Sequence, residues 1–100
     1  MSQPPEVTGR LAARVAAAVA GCPGVAGLRD GPVGTYLPGQ VVTGVALRDG
    51  SVVVAVTVTA SRPLAETAQQ IRACLAGVVP GWSVDVLIED IDVPRAGRPA

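Results

Sequence analysis

The sequence predicts a two-layer α+β domain with element order α-β-β-β-α-β, its two helices packed on one face of a small mixed sheet. Three observations lead there. Apolar residues recur at helical spacing in two separate segments, and a valine-rich stretch from Val41 to Thr59 folds about Asp49-Gly50. An alternating segment from Trp82 follows the second helical pattern, so that helix serves as a right-handed crossover between parallel strands.

The first helix is expected between Thr8 and Ala20. Leu11, Val15, Ala18 and Val19 form its apolar stripe, while Arg10 and Arg14 share a flank. Thr8 is placed to cap it, Gly21 to end it in a left-handed conformation, and Pro23 to forbid its continuation. Gly24 to Arg29 reads as a short strand. Asp30 to Gln40 reads as a loop, punctuated by Gly31-Pro32, Gly34 and Pro38-Gly39.

Asp-Gly between β-branched runs is a hairpin signal, because both residues tolerate positive φ. A two-residue turn pairs Arg48 with Ser51, Leu47 with Val52, Val45 with Val54, Thr43 with Val56 and Val41 with Val58. The face carrying Val41, Val45, Leu47, Val52, Val54, Val56 and Val58 then has the apolar area to lie under the helices. On the opposite face Val42 meets Thr57, Gly44 meets Ala55 and Ala46 meets Val53, and no further segment is evident to cover them. A solvated sheet face ordinarily carries long polar side chains, so this small, nearly neutral surface is the candidate protein-interaction site. Tyr36, in the loop beside it, either anchors that loop on the sheet or contacts a partner.

Ser61 and Pro63 open the second helix, with a stripe of Leu64, Ala68, Ile71 and Leu75 ending near Gly77. In the last strand Trp82, Val84, Val86 and Ile88 alternate with Ser83, Asp85, Leu87 and Glu89. The phase breaks at Asp90, where either a bulge restores the face or the strand ends. Residues 1–6 and 94–100 are read as loose tails around one domain spanning 7–93.

Composition narrows the functional classes. The chain of 100 residues is 49% apolar, mostly Ala and Val with no Phe, so its core is built of thin branched side chains that leave little room for a ligand pocket. Eight Arg balance eight acids, which removes the broad positive field typical of nucleic-acid association. No apolar run reaches spanning length and Met1 to Glu6 lacks the pattern of a signal peptide, so the expected location is cytoplasmic.

The chain has neither His nor Lys, and Cys22 and Cys74 stand far apart in sequence. They are read as two buried small residues, with no catalytic residue, metal site or cofactor expected. Asp85, Glu89, Asp90 and Asp92 alternate in direction along a strand and lack the glycine spacing of a calcium loop. Gly21-Cys22-Pro23-Gly24 matches the GxxG of KH nucleic-acid-binding domains, the alternative functional class. It leads to a strand rather than a helix and carries no basic residue.

The segment from Leu11-Ala12-Ala13-Arg14-Val15 through Cys22-Pro23-Gly24-Val25-Ala26-Gly27-Leu28 resembles the alkaline-shock (Gls-type) envelope stress response family, in its short actinobacterial form. Thr35-Tyr36-Leu37-Pro38-Gly39, Val42-Thr43-Gly44-Val45, Val52 to Val58, Pro63-Leu64, Ile71-Arg72 and Val84-Asp85-Val86 through Glu89-Asp90-Ile91 extend the resemblance, which covers Leu11 to Val93. It implies a non-enzymatic cytoplasmic protein that self-associates, gathers at the membrane through a membrane-anchored partner, and supports envelope homeostasis. Many relatives place a short strand before the first helix, and Met1 to Val7 has no such pattern.

Overall fold

The computed structural model describes residues 5–37 and 39–93, so the expected tails at 1–4 and 94–100 lie outside the described residues. The elements are α1 (Pro5–Ala20), β1 (Val25–Leu28), β2 (Gly34–Leu37), β3 (Gln40–Thr43), β4 (Val45–Arg48), β5 (Ser51–Thr59), α2 (Leu64–Val78) and β6 (Ser83–Asp92). The α+β class is as expected, with two more strands than the sequence reading placed.

Helix α1 starts at Pro5, inside the segment read as a tail, so Thr8 lies within the helix and is not its cap. A proline is tolerated there because the first-turn N–H groups have no intrahelical partner. Ala12, Val15 and Val19 are fully buried, one helical turn apart. On α2 the buried row is Thr67, Ile71 and Leu75, whereas Leu64, expected in that stripe, sits in the first turn and is 40% exposed.

Strand β5 is the centre of the sheet. It pairs in parallel with β6 along one side, and antiparallel with β4 and β1 in tandem along the other. The expected pairs Val45 with Val54, Ala46 with Val53, Leu47 with Val52 and Arg48 with Ser51 are all present. Only Gly50 of the turn has positive φ, at 74°.

Beyond Val45 the expected hairpin does not continue. Gly44 has φ 76°, and a Cβ there would lie 2.9 Å from the Ala55 carbonyl oxygen and 3.0 Å from Leu28 Cβ. The chain turns away from β5 at this residue. Val41, Val42 and Thr43 pair instead with Tyr36, Thr35 and Gly34 of β2, forming a separate two-stranded arm within what was read as loop. The vacated side of β5 is taken by β1, which sets Val25 opposite Val58, Gly27 opposite Thr57 and Leu28 opposite Val56. Ala55 is the junction: its N–H donates to the Gly44 carbonyl at 2.9 Å, and its carbonyl accepts from Arg29 N–H at 2.8 Å.

This break also reverses the phase of the arm. Val41, assigned to the core, is 62% exposed, and Val42, assigned to the open face, is 8% exposed and belongs to the core. Val45, Val52, Val54, Val56 and Val58 are fully buried, as expected, and pack with Ala12, Val15, Val19, Ile71 and Leu75 from the helices. The register of β6 slips by one residue between Ile88 and Asp90, so Glu89 is an extra residue and the bulge, not a strand end, explains the phase change. It keeps Ile91 opposite Val58.

Candidate functional site

The outer face of the sheet lies opposite the helices. Strand parity places Val53, Ala55 and Thr57 of β5 on it, with Ala46 of β4 and Gly27 of β1 to one side and Asp85, Leu87 and Asp90 of β6 to the other. Ala46, Val53 and Thr57 are half-buried and Leu87 is 41% exposed. Thus four of the expected contact residues, Ala46, Val53, Ala55 and Thr57, share one face, and Val42 and Gly44 are removed from it by burial.

Ala55 is on this face yet only 1% exposed. Arg29 stands across from Ala55 on one side, and Asp90 stands across from Thr57 on the other. Their side chains meet at 3.6 Å, so the ion pair passes diagonally over the small residues of β5. A larger residue at 55 or 57 would lift that bridge. Both partners remain about half exposed, at 50% and 54%, so solvent screening keeps the pair's contribution to stability under about 1 kcal/mol.

The face is therefore a strip of small side chains crossed by an ion pair, rather than the neutral plane expected from the hairpin alone. Arg29, Leu87 and Asp90 were missed because the sequence does not say which strands flank β5. The spacing of Asp85 and Leu87 places them on one side of a strand, but only the strand order puts that side beside Val53 and Ala55.

Tyr36 stands apart on the arm. Its ring lies over Gly34, where a Cβ would come within 2.8 Å of the ring atoms, and its hydroxyl donates to the Gly31 carbonyl at 2.9 Å. It anchors the turn before β2 and is still 60% exposed beside Val41. The other side of the arm faces the core, with Thr35 donating to the Val45 carbonyl.

The reactive groups are dispersed. Tyr36 is on the arm, Cys22 is between the helices and the acids are on β6. A cleft of about 300 Å³ between α1, the β4–β5 turn and Trp82 is lined by Thr8, Arg48 and Asp49. Among the described residues no group of His, Cys, Asp and Glu is arranged to hold a metal ion, and no helix is long and apolar enough to cross a membrane.

The Gly21 to Gly24 turn is packed against α2. Cys22 is 4% exposed with its Sγ 3.2 Å from Cys74 Sγ, and a Cβ on Gly24 would meet Thr67 Oγ1 at 2.6 Å. Cys22 and Gly24 thus face the helix layer, while Gly21 and Pro23 of the same turn are exposed. Cys74, read as buried, is exposed, and the two thiols that are distant in sequence are in contact.

The chain matches no protein-family profile, no curated protein and no solved structure.

Proposed function

We propose that this protein is a non-enzymatic interaction module, and that it associates through the outer face of its sheet with a membrane-anchored protein and with further copies of itself. One observation carries the reading: the central strand of the domain has a helix-free face of small side chains, on which Val53 and Thr57 are half-buried and Ala55 is buried where the Arg29–Asp90 ion pair crosses the strand. Small residues let another backbone approach closely, and Arg29, Asp85 and Asp90 supply polar groups at the edge, where interfaces are ordinarily polar. The exposed Tyr36 and Val41, paired on the arm, offer a second apolar contact.

The placement in envelope stress response, at the cytoplasmic membrane through an anchored partner, rests on the resemblance of Leu11 to Val93 to the Gls-type family. Ala46→Glu is the appropriate probe because Ala46 is half-buried on the open face, whereas an acid at the buried Ala55 would report on folding instead. In a pull-down that includes membrane fractions, the unaltered protein is expected to retain an integral membrane protein that Ala46→Glu releases. Equal recovery by both proteins would remove the outer face from the proposal, and recovery of single-stranded RNA in place of protein would replace it with the KH-like reading.

A further inference from the structure

Cys22 and Cys74 come from different elements, 52 residues apart, and their sulfurs are 3.2 Å apart. That is about 1 Å beyond a disulfide bond length, a gap that side-chain rotation and small helix shifts can close. Cys22 lies just past the end of α1 and is 4% exposed, while Cys74 lies within α2 and is exposed. Cys74 is therefore the more accessible residue of the two, and Cys22 is held in contact with it. We propose that Cys22 and Cys74 are a thiol–disulfide exchange site that accepts oxidising equivalents from a low-molecular-weight disulfide and closes an intramolecular bond locking α1 to α2.

The chemistry balances in two displacements. The Cys74 thiolate attacks one sulfur of the small disulfide, forming a mixed disulfide and expelling one small thiolate, which takes up a proton. Cys22 then loses its proton to solvent and attacks Cys74 Sγ; the bond to the small thiol breaks, and the second small thiol leaves. The protein gives up two electrons and two protons, and the small disulfide is reduced to two thiols.

The surroundings of Cys22 suit the resolving role. Burial, then its hydrogen bond and charge interaction with Cys74, raise its thiol from 9.0 to about 11. Its Sγ also lies 3.4 Å from the Ala18 carbonyl oxygen. Cys22 is thus protonated and shielded from outside reagents, which slows its attack, and its contact with Cys74 Sγ is what directs it to the mixed disulfide. The site lies in the helix layer, away from the outer sheet face, so it stands independently of the proposed interaction surface.

The test is incubation of the native protein with oxidised glutathione, followed by intact-mass measurement, non-reducing electrophoresis and thermal melting. The expected product is a monomer lighter by two hydrogen atoms, with no free thiol after denaturation, and with Tm raised on the order of 10 °C because the bond closes a long loop in the unfolded chain. Cys22→Ala should stop at a single glutathione adduct on Cys74. Cys74→Ser, a change at an exposed position, should take up no glutathione. A persistent adduct on the unaltered protein, a disulfide-linked dimer, or two thiols still free would each overturn the exchange site. A disulfide that leaves Tm unchanged would overturn the lock.

Discussion

Gly24 and Thr67 meet where the turn after α1 rests on α2. Gly24 has φ 91°, and a Cβ there would sit 2.6 Å from Thr67 Oγ1 and 3.0 Å from Arg62 Cδ. Gly24→Ala therefore meets both backbone strain and a clash with a fully buried side chain, and should cost about 2 kcal/mol or more in a urea titration. Thr67 Oγ1 itself is buried and has no hydrogen-bond partner among the described residues. Thr67→Val replaces that hydroxyl with a methyl group of similar size and should be neutral or stabilising by up to about 1 kcal/mol.

Cys22 adds a pH dependence. Its folded-state pKa is raised from 9.0 to about 11, so the unfolded chain releases this proton first, and the associated stability is complete below about pH 9 and is lost as pH rises towards 11. Denaturation midpoints of the reduced protein should fall across that window, and Cys22→Ala should flatten the slope. The Gly-Cys-Pro-Gly turn was legible in the sequence as a helix stop, although its left-handed residue is Gly24 and not Gly21, and its contact with Cys74 was not legible, because 52 residues of chain separate the thiols and no spacing rule connects them.

At the scale of elements, β5 is hydrogen-bonded on both sides, whereas β6 is paired on one side and the β2–β3 arm is a two-stranded unit. Amide hydrogen exchange should be slowest in Val52 to Val58 and faster in β6 and the arm. Uniform protection across all six strands would contradict this order. The β4–β5 register followed from Asp49-Gly50, since a two-residue turn leaves no freedom for pairs close to it. The pairs beyond Gly44 were not legible. Valine alternation runs through that residue without interruption, and the cue was the lone glycine inside a strand pattern, which marks a bulge or a close backbone approach. The phase break at Asp90 was legible, but the choice between a bulge and a strand end needed the register of β6 against β5.

For the whole molecule, the layer arrangement follows from two amphipathic helices and one valine-rich centre, and Val45 to Val58 supplies the core side that both helices cover. The opposite side was foreseen as open, but its margins were not. The sheet order brings Arg29, just after β1, and Asp90 of β6 together across the same strand, turning a neutral strip into one crossed by an ion pair. Arg29→Ala should change stability by less than about 1 kcal/mol, since the pair is half exposed, while altering the salt dependence of any association through this face. The central claim is that this face binds another protein or a second copy of the chain. Sedimentation equilibrium of the unaltered protein and Ala46→Glu, each checked for an unchanged circular dichroism spectrum, tests it most directly. The account predicts a self-associating unaltered protein and a folded, monomeric Ala46→Glu; association of equal strength in the two would contradict it.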